Sequence, residues 1–286
     1  MLDGKIINNK ILLHTAQWYI THTCNLTCEH CLSHNNFAIK GEDSFEDNIE
    51  HAKEWNRLVT IKDFTIIGGE VFTHNNLNQW VHGLRDIFSD VKDFKVLTNG
   101  TLLEKYYDSF DSWFDKDIII ELSFKREKDF KNFMLLLQRY KNYDIKDHFL
   151  YDKVIYIDGK LRFLIEHCTT HVPWAVKDKI DGVYNFWDND PEESHKKCWQ
   201  KDCHYFHKGE LYKCGTLVGA KEFVKKYPVK YFNKKLYEDY KPIQYTDTNL
   251  QKKITSLNFA VNQCSSCPID NGKKDKIVLD KRKIMP

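Results

Sequence analysis

The sequence predicts an α/β protein built on a parallel sheet, and three observations carry that prediction. Four strand-then-helix units follow one another within about 125 residues, the signature of parallel strands joined by crossover helices. The strand segments are apolar and β-branched, and Ile118-Ile119-Ile120 is a continuous apolar run of the kind a strand covered on both faces needs. Each conspicuous polar motif, at Cys24, Gly68 and Thr98, follows the carboxyl end of a strand, and Ser123 lies near the end of the fourth. That rim is where α/β folds bind their ligands.

In chain order, Gln17-Trp18-Tyr19-Ile20-Thr21 reads as the first strand, rich in aromatic and β-branched types. It runs into Cys24-Asn25-Leu26-Thr27-Cys28-Glu29-His30-Cys31, three cysteines at C-x3-C-x2-C. Three close thiolates at a strand end can hold three corners of a cubic [4Fe-4S] cluster and leave the fourth iron for another ligand. After a polar segment, Ser44 reads as a helix N-cap with Asp47 three residues on, and Ala52, Trp55, Leu58 and Val59 supply the apolar face. Asp63 to Ile67 is a strand ending abruptly at Gly68-Gly69-Glu70, and Leu77 to Phe88 is a helix. Phe94 to Leu97 is a strand followed by Thr98-Asn99-Gly100, which also fits a plain turn. Leu102 to Trp113 is helical, Asp117 to Phe124 is a strand, and Phe130 to Tyr140 is a helix. Val154–Ile157 and Leu161–Ile165 read as a hairpin or as two tightly joined sheet strands. Further on, a short helix enters at Asp190, a hairpin turns at Lys208-Gly209, and Lys221 to Tyr240 is partly helical. The segment Lys273 to Lys283 is a basic, mobile tail.

The charges nearly cancel: 43 basic and 41 acidic residues in 286 leave +2, which argues against a dominant nucleic-acid footprint. The chain has no apolar run long enough to span a membrane, and Met1 to Lys10 lacks a signal core, so a cytoplasmic location is expected. The nine cysteines are clustered and odd in number, which fits metal or redox chemistry better than a disulfide framework.

The C-x3-C-x2-C loop, followed by Gly68-Gly69-Glu70 at the end of the next strand, resembles the radical S-adenosylmethionine (SAM) superfamily over roughly residues 15 to 125. The resemblance implies a partial (β/α)6 barrel. It also implies that Cys24, Cys28 and Cys31 hold a [4Fe-4S] cluster, that SAM chelates the open iron, and that its reductive cleavage yields a 5′-deoxyadenosyl radical. Gly68 and Gly69 would let the backbone approach a ligand, and Glu70 would accept from the methionine ammonium. His30, before the third cysteine, would contact adenine through its backbone. Thr98, Asn99 and Ser123 would meet ribose or carboxylate. Lys125 and Arg126 either meet the SAM carboxylate or form a solvated pair. A structural zinc site, with His22 or His30 as fourth ligand, is the bland alternative.

Cys198, Cys203, Cys214, Cys264 and Cys267 form a second group. The spacing Cys198-x10-Gly209-x4-Cys214, followed by Cys264-x2-Cys267, resembles the auxiliary-cluster module called SPASM or, in its shorter single-cluster form, Twitch. That implies a second [4Fe-4S] cluster. Five thiols compete for four positions, with Cys198, Cys214, Cys264 and Cys267 favoured; a zinc ribbon is the rival. Cys168 reads as an ordinary buried cysteine. His167, His171, His195, His204 and His207 scatter nearby and read mostly as polar surface. The expected organisation is a core domain at 1–187 and a cluster module with its basic tail at 188–286. The expected activity begins with hydrogen abstraction. It ends in oxidation or cross-linking of a peptide, or dehydrogenation of a small molecule, with a flavodoxin or ferredoxin as electron donor. The alternatives are a glycyl-radical-type activating enzyme, although Val71 stands where that group often has proline, and a noncatalytic metal-binding protein.

Overall fold

The computed structural model describes residues 3–28, 30–168, 170–171, 176–269 and 275–276. A short β1 (Ile6–Ile7) folds back on β2 (Lys10–Tyr19). The first long strand therefore starts well before Gln17, because Leu12 and Leu13 already find full burial. Then come α1 (Phe45–Leu58), β3 (Val59–Ile67), α2 (Leu77–Ile87) and β4 (Asp93–Thr98). They are followed by α3 (Leu103–Tyr106), α4 (Phe110–Asp115), β5 (Ile118–Phe124) and α5 (Glu127–Leu137). The four expected strand–helix units are present. The expected helix over 102–113 is divided by a 3-10 turn at Tyr107–Ser109.

After α5 the chain forms β6 (Tyr143–Asp147), β7 (Lys153–Ile157) and β8 (Lys160–His167). β7 and β8 pair antiparallel, and β8 then lies parallel to β5. The pair left open by the sequence is thus a hairpin whose second strand is also a member of the parallel sheet. β9 (Thr170–His171) and the small hairpin β10 (Val176–Ile180) and β11 (Val183–Phe186) stand apart from it.

The cysteine-rich half begins with α6 (Pro191–Lys197), capped by the Asp190 carboxylate on the Glu193 N–H at 2.9 Å. β12 (Cys203–His207) and β13 (Glu210–Tyr212) form the expected hairpin, with Lys208 and Gly209 both at positive φ (50° and 78°). The segment expected as one mixed stretch is two helices, α7 (Gly215–Lys226) and α8 (Tyr231–Glu238). β14 (Ile243–Gln244), α9 (Leu250–Ser256) and β15 (Asp275–Lys276), which pairs with β9, complete the described chain. Apart from β15, the basic tail lies outside the described residues.

The main sheet runs β14-β13-β12-β2-β3-β4-β5-β8-β7-β6. Its centre, β12-β2-β3-β4-β5-β8, is six parallel strands. The sheet is open among the described residues; no closed barrel forms. The hairpin β12–β13 belongs to this same sheet, so residues on both sides of the expected 187/188 boundary share one set of strands.

The two faces of the sheet differ. One carries Phe206, Trp18, Ile66, Val96, Ile120 and Phe163 in registered rows, and α1 and α2 cover it with Trp55, Trp80 and Leu84. The registered rows on the other face include Cys203, Thr15 and Asp63, then Gln17, Thr65 and Lys95, then Ser123 and Glu166, with Glu121 on the same face of β5. Period-two alternation therefore separates a dry face from a polar one.

Candidate functional site

The loop after β2 and the turn after β3 are joined by backbone hydrogen bonds. Gly69 N–H donates to the Thr21 carbonyl at 2.7 Å, and Glu70 N–H donates to that of Thr23 at 2.9 Å. The glycines are needed for this contact. A Cβ on Gly69 would stand 2.5 Å from the Thr23 carbonyl oxygen and 2.9 Å from the Cys24 Cβ. A Cβ on Gly68 would stand 2.7 Å from the Thr21 carbonyl oxygen. The expected reason for these glycines was close approach to a ligand; their observed neighbour is the cysteine loop itself.

Glu70 is buried, and both carboxylate oxygens are occupied. Oε1 accepts from Phe72 N–H at 3.0 Å and Thr98 Oγ1 at 2.6 Å, and Oε2 accepts from Asn99 N–H at 2.6 Å. Burial raises its pKa, and these donors oppose the rise. The carboxylate thereby ties the end of β3 to the end of β4. Asn99 extends the tie: its Nδ2 donates to Asn25 Oδ1 at 3.0 Å, and its Oδ1 accepts from Thr101 N–H at 3.0 Å. Asn25 Nδ2 in turn donates to Thr101 Oγ1 at 2.7 Å. Asn25 and Thr101 went unnoticed in the sequence, where a polar residue inside a cysteine loop carries no signal of its partner.

The thiols of this loop influence one another. Burial, then the charge of Glu70, pushes the Cys24 thiol well up. Burial, then Cys31, pushes Cys28 up to about 11, against the pull of Lys125. His30 has a positive φ of 59°. Ser123 accepts from Lys125 Nζ at 2.7 Å, whereas Arg126 turns away to pair with the Asp129 carboxylate through Nε at 2.5 Å. Lys125 is therefore not a free surface charge. Cys168 is not an ordinary core cysteine either: it is partly exposed, and its thiol faces Lys125, Glu166 and Ser123. His22, a candidate zinc ligand in the bland reading, has its Nδ1 3.2 Å from the Tyr19 hydroxyl.

The second group gathers around one cavity. Cys198, Cys214, Cys264 and Cys267 line it together with Lys213 and His195, and it encloses about 30 Å³. Burial, then Cys264 and Cys198, pushes Cys214 up to about 12. Burial, then Cys214, pushes Cys267 well above its usual range. Cys203 does not line this cavity. It sits on β12 in register with Thr15, and after burial the charge that most raises its pKa is Asp63. Nearby, Lys95 donates to Asp63 at 2.7 Å and lies 3.8 Å from Glu121. Burial alone would depress Lys95, but the two carboxylates outweigh it and hold its ammonium above the ordinary range.

Two histidines expected at the surface are buried. His204 Nδ1 is 2.8 Å from the Lys213 carbonyl oxygen and its Nε2 is 2.9 Å from Asp3. His207 Nδ1 is 3.2 Å from Asp43. His195 lies against Lys213, His167 pairs with Asp152 at 3.0 Å, and the side chain of His171 lies outside the described residues.

Among the described residues no three His, Cys, Asp or Glu side chains converge tightly enough to hold one metal ion as they stand. The donor chemistry nevertheless fits thiolate-bound centres. Burial is the main cause that pushes up Cys24 and Cys28 at the first site and Cys198, Cys214, Cys264 and Cys267 at the second, and a metal centre supplies the positive charge that stabilises buried thiolates. At the second site the buried Tyr237 hydroxyl, with the Ser266 hydroxyl beside it, also feels Cys267, Cys214 and Cys264. Such hydroxyls suit the sulfur atoms of an anionic centre. None of the described helices is long and apolar enough to cross a membrane.

No protein-family profile matches the chain. Over 92 residues it is 36% identical to the antilisterial bacteriocin subtilosin biosynthesis protein AlbA of Bacillus subtilis (strain 168). The match covers 32% of this chain and 19% of that protein, so the chain spans about a fifth of the relative's length.

Proposed function

We propose that the chain is a radical SAM enzyme that modifies a peptide. One observation carries the reading: Thr21 and Thr23, which lead directly into the C-x3-C-x2-C loop, accept backbone hydrogen bonds from Gly69 and Glu70 of the Gly68-Gly69-Glu70 turn. Two motifs far apart in sequence thus form one rim, at the ends of adjacent parallel strands. The likeness to a bacteriocin biosynthesis protein favours a peptide over a small molecule as substrate.

In this reading Cys24, Cys28 and Cys31 hold a [4Fe-4S] cluster, and Cys198, Cys214, Cys264 and Cys267 hold a second one; Cys203 is left out. Bound at the first site and reduced, a cluster would supply the electron for cleavage of SAM to methionine and a 5′-deoxyadenosyl radical, and hydrogen abstraction from the substrate would follow. The chain's own residues position and enclose. Glu70 fixes the glycine turn against the cysteine loop, so the backbone groups at the rim have one arrangement. Asn25, Asn99 and Thr101 hold the loop at the end of β4. In this reading His30, Thr98, Asn99 and Ser123 contact SAM, and Lys125, which donates to Ser123, meets its carboxylate. The polar face of the sheet, with Asp63, Lys95 and Glu121, receives the substrate below that rim.

The test is anaerobic reconstitution with iron and sulfide, followed by SAM and dithionite. About eight irons per chain and production of 5′-deoxyadenosine support the reading. An intact cluster that binds no SAM and yields no 5′-deoxyadenosine overturns it. About four irons together with one zinc per chain leaves the first site and replaces the second cluster with a zinc ribbon.

A further inference from the structure

Lys213 precedes Cys214 at the turn into α7 and is 2% exposed. Its Nζ lies 3.0 Å from His195 Nε2 and 2.9 Å from the Lys201 carbonyl oxygen, and it also donates to the Leu257 carbonyl. With His195 carrying its proton on Nδ1, three acceptors surround Nζ, so all three ammonium hydrogens are used. No carboxylate forms an ion pair with this ammonium among the described residues. Burial works against its charged form and is the larger effect; the groups that oppose burial are, in order, Cys214, Cys264, Cys198 and Asp202. The same lysine lines the cavity with all four thiols.

A buried cation without a carboxylate is costly unless something else balances it. Four protonated thiols do not; four thiolates around a metal centre do. We propose that Lys213 is the counter-charge of the centre held by Cys198, Cys214, Cys264 and Cys267, and that it sets that centre's reduction potential. The inference rests on the second site holding a [4Fe-4S] cluster. One electron, supplied by dithionite in the assay, takes the four-thiolate cluster from a net charge of −2 to −3. A fixed positive charge beside it favours the more negative form. Lys213 is a positioning and tuning residue here, since it touches no substrate.

The experiment is a redox titration of the reconstituted full chain, following the electron paramagnetic resonance signal of the second cluster. The variants are Lys213→Met, Lys213→Gln and Lys213→Arg. Gln offers two hydrogen-bond donors without the charge, so it tolerates the buried acceptors better than Met; Arg keeps the charge. Met and Gln are expected to lower the equilibrium constant for reduction about tenfold, a downward shift of about 59 mV for one electron, with Arg close to the parent. The first cluster serves as internal control, and its potential stays put. Equal second-cluster potentials in the parent, Gln and Met chains overturn the proposal. A parent chain with about four irons instead of about eight overturns the two-cluster reading beneath it, and that result is visible before any potential is measured.

Discussion

Gly69→Ala tests the join between the cysteine loop and the glycine turn most directly. Gly69 has no positive φ, so alanine is allowed at its backbone conformation. By itself the substitution would stiffen the unfolded chain and stabilise the fold by about 0.4–1 kcal/mol. The added methyl, however, would stand 2.5 Å from the Thr23 carbonyl oxygen, about 0.9 Å short of ordinary contact at 3.4 Å. Its obstacles are backbone atoms of the opposing loop, which cannot swing aside as a side chain would. Overpacking of this kind costs about 1–3 kcal/mol. Opening the gap also stretches the bonds from Gly69 and Glu70 to Thr21 and Thr23, worth about 1 kcal/mol each. The net expectation is a loss of about 2–3 kcal/mol, a fall in Tm of about 4–12 °C. Thermal unfolding of the metal-free chain by circular dichroism measures it. Gly159→Ala is the control: nothing lies within 4 Å of its added Cβ, but its φ of +78° imposes strain alone. Because the displaced loop carries Cys24, iron in the reconstituted Gly69→Ala chain should fall by about four per chain. A Gly69→Ala chain that melts no lower than Gly159→Ala and keeps its iron would refute the reasoning.

Glu70→Gln places an amide NH2 where a carboxylate oxygen accepts from a buried donor, so a donor faces a donor; urea unfolding should show a loss of about 1–3 kcal/mol, and an unchanged midpoint would mean that the three bonds are dispensable. Cys28→Ala should abolish 5′-deoxyadenosine production and leave the second-site iron, whereas Cys264→Ala should do the reverse to the iron count; loss of all iron in Cys264→Ala would mean that the sites fold together. His34 is fully buried, both ring nitrogens lack partners, and burial lowers its pKa from 6.5 to about 4. Between those values the unfolded chain binds more protons, so the stability present above pH 6.5 is lost as pH falls to about 4, by up to about 3 kcal/mol from this group. His34→Leu, among the rings of Phe37, Phe186 and Phe223, should flatten that part of the profile in melts taken from pH 7 to pH 4; an equally steep profile would show that the drop originates elsewhere.

Much of the fold was legible because it rests on local pattern. The Ser44 cap, with its hydroxyl accepting the Asp47 N–H at 3.3 Å, is a short-range hydrogen bond written in neighbouring residues. The apolar run at Ile118–Ile120 announced a strand covered on both faces. The turn at Lys208-Gly209 followed from the need for positive φ. The breadth of the sheet was not legible. Nothing local says that β12, almost two hundred residues after β2, lies parallel beside it. That pairing is a long-range solution to burying Phe206 against Trp18 and Trp55, whose ring centroids are each 5.1 Å away.

By itself the sequence determined the chemistry available: three thiols at C-x3-C-x2-C, a glycine pair and carboxylate at the next strand end, and five later cysteines. Residue type and spacing are enough for that, because ligand chemistry is a property of side chains. Only the tertiary structure decided the relations among them. It turned Glu70 from a free acceptor into the strut between β3 and β4. It gathered four of the five later thiols around one cavity and set Cys203 on the polar face of the sheet instead, in the same row as Thr15 and Asp63. It also buried Lys213, invisible in the sequence, among those four. The reason is physical: burial and hydrogen-bond partnership depend on which strands lie side by side, and that is settled by the packing of the whole chain.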